Sequence, residues 1–379
     1  MGRLRNARGN GQANARQPQW CPAPRYDLPA SGFRGIWGGA SPGSPAMPLP
    51  RRLLLAAALA APALRTARAE AWPDRVVTLV VPFLAGGSTD IAARILAERL
   101  GAVLGGEAGP ARIVVENRSG AGGSVGAEWV RHRPADGATL MLASASALAT
   151  NPAALPQQTP YDPIGDFTQI ALIGGGPIVL VVPAASPFGG VPELLAAIRA
   201  APGRYTWATS GAGGIGHLTG EYLKLQAGGL KAEHVPYRGG SAVMEALAKG
   251  EVDYSLEVLA STAPHIRDGL SRGLAVSALQ RHPLFPAIPT LAESGLPGFE
   301  VTTWNMLVAP AGLPPGIVAI LAAGVRKVLA EEATAQRLAQ AGVDPAPPGS
   351  PAEARAFLVT ELAKFRGIVA QSGLELGRR

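Results

Sequence analysis

From residue 75 onward the chain alternates short apolar runs with amphipathic stretches. Arg75-Val76-Val77-Thr78-Leu79-Val80-Val81 is a run of β-formers, and Ile91 to Leu100 repeats its apolar residues at helical spacing. Between them lies Pro82-Phe83-Leu84-Ala85-Gly86-Gly87-Ser88-Thr89-Asp90. The pattern predicts a buried strand, a glycine loop and a helix start. The two glycines permit a tight turn and a close approach by a ligand. Ser88 or Thr89 is expected to cap the helix, and Asp90 in its first turn suits the dipole. Free N–H groups there make an anion site, although any strand-to-helix loop needs glycine and a cap for its own sake.

The same alternation continues. Ala111 to Asn117 reads as a strand that ends in Ser119-Gly120-Ala121-Gly122-Gly123-Ser124, followed by a helix from Val125 to Arg131. Thr139 to Ala143 is a third strand, with Ser144-Ala145-Ser146 at its carboxyl end. After a turn-rich passage around Tyr161-Asp162-Pro163, the apolar runs Ile170 to Gly174 and Ile178 to Pro183 begin a second unit. Val191 to Arg199 is a helix with proline in its first turn. Tyr205 to Thr209 is a strand ending in Ser210-Gly211-Ala212-Gly213-Gly214-Ile215-Gly216-His217, and a helix runs from Leu218 to Gln226. Strands are predicted at 232–237, 252–258, 274–278 and 304–310, a helix at 242–247, and two closing helices near 315–330 and 352–371. Strands alternating with helices indicate parallel βαβ units, in which ligands bind beyond the carboxyl ends of the strands. Ser-Gly-Ala-Gly-Gly occurs twice, at 119–123 and 210–214. Two short matches are similar local solutions and do not establish a repeat.

The 379 residues carry a net charge of +7, but the surplus is local. Residues 1–69 hold ten arginines against one acid, Asp27, which leaves 24 basic and 26 acidic residues in the rest. The body therefore offers no electrostatic footprint for nucleic acid. Arg51-Arg52, the apolar stretch Leu53 to Ala61 and Ala67-Arg68-Ala69 form the n-region, h-region and cleavage site of a secretory signal peptide spanning 47–69. Residues 1–46 read as an over-extended start or a disordered leader. The one cysteine, Cys21, lies in that leader, so the body is expected to hold no disulfide, thiolate nucleophile or cysteine metal site. No later stretch reaches the ~18 consecutive apolar residues of a membrane span. The expected product is a soluble exported protein.

Candidate chemistry is sparse. Gly211-x-Gly213-x-x-Gly216 fits a dinucleotide pattern, but Glu233, near the required distance, precedes its strand instead of ending it. No P-loop lysine follows a glycine loop. His132, His217, His234, His265 and His282 form no metal-binding pair, and Ser210 lacks a nucleophile elbow. His217 either donates to a ligand carboxylate or caps its helix. What recurs is loops rich in backbone donors and hydroxyls, without a nucleophile. That chemistry binds a small anion and does not turn it over.

Seven segments carry a family resemblance: Trp72-Pro73, Val81 to Asp90, Val115 to Gly123, Pro160 to Pro163, His234 to Gly239, Pro289 to Gly298 and Ala309 to Gly312. In order and spacing they resemble the Bug receptors, the periplasmic substrate-binding proteins of tripartite tricarboxylate transporters. The resemblance implies an α/β, two-lobed periplasmic binding protein fold, type II-like, with two βαβ-type domains joined by a hinge. Lobe I would be 70–172 plus 298–379, and lobe II 173–297. It implies a small carboxylate ligand, permease subunits as partners, a monomer in the periplasm, no cofactor and no catalysis. Carried over by position, the ligand site comprises Phe83, Ala85, Gly86, Gly87, Ser88, Thr89 and Asp90 from lobe I, lined further by Ser144 and Asn151, and Ser210, Gly214, His217, Tyr237 and Glu257 from lobe II. Leu84 replaces a common proline. Glu257 stands where many members have Asp or Asn, and there it would discourage a second carboxylate or attract an amino group. Two alternatives are a receptor that presents its ligand to a sensor and a secreted enzyme.

Overall fold

The structure, a computed structural model, describes residues 72–105 and 109–374. The signal peptide and leader expected at 1–69, and Cys21 within them, lie outside the described residues.

The first strand, β1 (Val77–Val81), alternates its side chains between two apolar layers. Val77, Leu79 and Val81 pack with Leu96 and Leu100 of helix α1 (Ser88–Leu104), whereas Val80 faces the opposite side with Met141 and Met306. Strands β2 (Ile113–Asn117) and β3 (Thr139–Ser144) flank β1, both parallel to it, with helix α2 (Ser124–Arg131) between them in sequence. The expected βαβ order holds here. It holds again in the trio β5 (Thr206–Thr209), β6 (Glu233–Pro236) and β7 (Tyr254–Val258), where β5 is parallel to both neighbours.

Antiparallel strands depart from that expectation. The apolar runs at 170–174 and 178–183 are one 17-residue strand, β4 (Phe167–Pro183). Its first part pairs antiparallel with β9 (Thr302–Pro310), and its last part, from Ile178, pairs antiparallel with β7 and with β8 (Ser271–Val276). Gly174, Gly175 and Gly176 punctuate this strand without breaking it. A Cβ on Gly174 or Gly175 would collide with the backbone carbonyl of Asp344 or Thr303, so these glycines permit close strand approach. The sheet order is β2-β1-β3-β9-β4-β7-β5-β6, and a two-residue strand at Asp344–Pro345 also pairs with β4.

Helices cover both faces. In the second half, α3 (Val191–Ala200) and α4 (Ile215–Gln226) pack one side of the sheet, and α5 (Gly240–Ala248) and α6 (Leu259–Arg267) the other. Helix α7 (Pro315–Leu329) covers the β1 layer, next to α8 (Glu332–Gln340). The closing helix α9 (Pro351–Ser372) starts with a capping box between Ser350 and Glu353. Its buried Leu358 and Phe365 join the apolar layer of β4 and α4. Among the described residues no helix is long and apolar enough to cross a membrane.

Candidate functional site

The loop after β1 leaves Leu84, Ala85, Gly86 and Gly87 exposed, with Gly86 at φ 87°. Helix α1 begins at Ser88, its N-cap is Gly87, and no side chain caps it. The expected cap by Ser88 or Thr89 is therefore corrected: both lie inside the first turn. Thr89 is drawn inward instead, donating its hydroxyl to Asn305 Oδ1 at 2.9 Å, with both side chains buried. An uncapped helix start beside an exposed loop leaves first-turn amides available to an anion.

Asp90 is buried against that loop. Its carboxylate accepts from Gly86 N–H at 2.9 Å, from Arg94 at 2.9 and 3.0 Å and from Asn117 Nδ2 at 2.9 Å. Burial pushes the Asp90 carboxyl up, but Arg94, Gly86 and Asn117 together outweigh it and hold the group below the usual range. Asn117 also donates to Phe83 O at 3.1 Å. Asp90 thus fixes the shape of the loop and occupies the Gly86 N–H.

Phe83 is half-buried, and its ring lies 3.1 Å from where a Cβ on Gly123 would stand. This joins the first loop to the first Ser-Gly-Ala-Gly-Gly copy. Ser144 Oγ accepts from Ser146 N–H at 3.2 Å, which opens the π-helical turn Ser146–Thr150. Asn151, fully buried, donates Nδ2 to Ala121 O at 2.9 Å and Gly122 O at 3.0 Å. The turn is anchored from behind by Tyr161, which donates to Ala147 O at 2.6 Å and whose hydroxyl burial pushes up to about 12.

The second copy faces this turn. Ile215 N–H donates to Ser146 Oγ at 3.2 Å, and a Cβ on Gly214 would lie 3.7 Å from the same oxygen. His217 Nδ1 accepts from Gly213 N–H at 3.0 Å, so its proton sits on Nε2, 3.7 Å from Glu221. The histidine thereby braces the loop before its helix, whose N-cap is Gly214 with no side-chain cap. Ser210 N–H donates to Glu257 Oε1 at 2.5 Å. Glu257 is 1% exposed, and burial raises its carboxyl to about 7 against the pull of the Ser210 hydrogen bonds. Tyr237 follows β6 half-buried, its ring against the apolar layer of α5 and its N–H on Thr209 O.

The fold therefore gathers Phe83, Ser144, Asn151, Gly214 and His217 around one junction of four loops, with Glu257 beneath Ser210. Asn305 joins Thr89 from β9 and escaped the sequence reading. Its only signal was a polar residue inside the apolar run Trp304 to Val308. Two grooves of about 480 and 380 Å³ lie elsewhere, lined by residues such as Arg94 and Arg337 in one and Arg272 and Phe285 in the other. The nucleotide-like glycines gain no ribose acid, since β6 ends at Pro236. Among the described residues no three His, Cys, Asp or Glu side chains form a metal set.

Residues 92–374 match the family described as tripartite tricarboxylate transporter family receptor. The chain is 33% identical over 308 residues to protein BugT of Bordetella pertussis, covering 81% of this chain and 92% of that one. It superposes on the structure of R. palustris Rpa4515 with adipate at a TM-score of 0.74 and 34% identity, covering 80% of this chain and 98% of the other. Against MatC (Rpa3494) from Rhodopseudomonas palustris with bound malate the TM-score is 0.72 at 31% identity, covering 79% and 100%.

Proposed function

The chain belongs to the tripartite tricarboxylate transporter receptor family, and from that premise we propose that it is a periplasmic receptor that captures a small carboxylate and delivers it to the membrane subunits of such a transporter. The observation that carries the ligand class is the uncapped start of α1 behind the exposed Leu84–Gly87 loop, whose neighbour Phe83 reaches the first glycine loop beside Ala147. First-turn amides stabilise a carboxylate without a neutralising cation, and the low-dielectric junction strengthens them. Relatives whose structures hold adipate and malate support the same ligand class.

In this reading lobe I comprises 70–172 plus 298–379, and lobe II 173–297. The hinge lies where β4 passes from β9 to β7 and β8, and the lobes close over the ligand. The site residues are those gathered at the loop junction, with Asp90 shaping the loop from behind. The protein acts as a monomer, exported by its signal peptide, and no catalytic group takes part.

A thermal-shift screen of the purified protein against small carboxylates, amino acids and neutral controls tests this. A ligand at ~100 times its dissociation constant stabilises by about 2.7 kcal/mol, several degrees in midpoint. A shift confined to carboxylates is expected. Shifts only with dinucleotides or divalent metals would overturn the receptor in favour of an enzyme.

A further inference from the structure

Asn151 stands between the two Ser-Gly-Ala-Gly-Gly copies, and its two amide ends meet different fates. Nδ2 faces the first copy, donating to the Ala121 and Gly122 carbonyls and lying 3.4 Å from Ser124 Oγ. This settles the orientation of the amide, because a flip would set Oδ1 against two carbonyl oxygens. Oδ1 consequently faces the second copy, 3.3 Å from where a Cβ on Gly213 would stand. It is buried and receives no hydrogen bond. An amide oxygen accepts up to two, and buried acceptors in folded proteins are almost always paired.

The facing loop does not supply the missing donor. Gly213 N–H is engaged by His217 Nδ1, and Ile215 N–H by Ser146 Oγ. Below the same loop stands the buried Glu257 carboxyl, which holds Ser210 N–H. The junction thus holds an unpaired buried acceptor, Asn151 Oδ1, with the Glu257 carboxyl below the facing loop.

We propose that Asn151 selects the ligand: a carboxylate that also carries a hydroxyl or ammonium group, whose N–H or O–H is donated to Asn151 Oδ1 when the loops close. This rests on the carboxylate-receptor reading and narrows it. In an open cleft water serves Oδ1. Closing on a ligand without a donor strips that water and leaves the oxygen unpaired, whereas a donor-bearing ligand replaces it. The unpaired oxygen also makes the empty closed form unfavourable, so closure is tied to the right ligand.

Calorimetry on three matched sets tests this: succinate, malate and aspartate; propionate, lactate and alanine; phenylacetate, mandelate and phenylglycine. In any set that binds, the donor-bearing members should bind about tenfold or more tighter than the donor-free one. Equal or tighter binding of the donor-free acid overturns the inference and leaves the receptor reading standing. Absence of binding in all three sets overturns both. The Glu257→Gln variant keeps an oxygen for Ser210 N–H but removes the charge. It should narrow the preference for ammonium over hydroxyl while keeping the preference for a donor. Loss of the donor preference in this variant would shift the acceptor role to Glu257 and overturn the assignment to Asn151.

Discussion

His217 and His234 stack face to face, with ring centroids 3.8 Å apart and planes 10° from parallel, both against the Trp207 indole. Burial, and then the neighbouring His217, push His234 from its ordinary 6.5 down to about 3, with Glu221 pulling the other way. In the folded protein His234 is therefore neutral through the mildly acidic range, with Nε2 2.8 Å from Thr209 Oγ1. The unfolded chain binds a proton below 6.5, so this residue's share of stability is complete above that pH. It is lost as pH falls toward 3, at about 1.4 kcal/mol per pH unit. Urea midpoints measured from neutrality down to pH ~4 should fall for the wild type and fall less steeply for His234→Gln. Parallel slopes would show that the pair does not govern acid stability.

Asp90→Ala should lower stability by about 1–3 kcal/mol. The substitution takes the shared acceptor from Gly86 N–H, Arg94 and the Asn117 amide, leaving Arg94 its contact to Asn117 Oδ1 and Asn117 its bond to Phe83 O. A residue serving only the helix dipole would cost ~0.3–1 kcal/mol. Chemical denaturation separates these two sizes, and ligand affinity should fall alongside because the loop loses its frame.

Two glycines in helices should respond with opposite sign. Gly220 in α4 lies against the Trp207 ring, which is fully buried and has nowhere to move. Gly220→Ala should destabilise by about 1–3 kcal/mol through overpacking. Gly316, in the first turn of α7, is exposed, and a Cβ added there would meet nothing within 4 Å. Gly316→Ala should stabilise by up to about 1 kcal/mol. Thermal midpoints moving in the same direction for both would contradict this packing.

Ser277 ties the two chain crossings together. Its hydroxyl accepts from Ile178 N–H at 2.8 Å and donates to Val301 O, and its backbone bonds the same two residues. Ile178 is where β4 changes partners, and Val301 leads into β9. Ser277→Ala should cost about 1–3 kcal/mol, since it strands a buried donor and a buried acceptor. Hydrogen exchange at Ile178 should accelerate; unchanged protection there would remove Ser277 from the crossing.

Much of this architecture was legible before folding. The strand, glycine loop and helix of 77–104 follow from local chemistry, because apolar period, glycine and helix formers all act within a few residues. Both Ser-Gly-Ala-Gly-Gly loops were visible for the same reason. Helices α6 and α8 escaped notice. Pro264 sits inside α6, and α8 is short and largely polar, so their apolar faces become apparent only against their neighbours.

The sequence by itself determined the family, the alternation of strands and helices, and the loops at which an anion is held. The tertiary structure decided what each polar group does. Thr89 binds Asn305, 216 positions away, instead of capping its helix. Asp90 is buried and receives Asn117 Nδ2 from the next strand, and the two glycine loops meet on opposite ends of the Asn151 amide. Hydrogen-bond partners distant in sequence leave no local signature. A polar side chain's role is set by which donor or acceptor burial brings within about 3 Å of it.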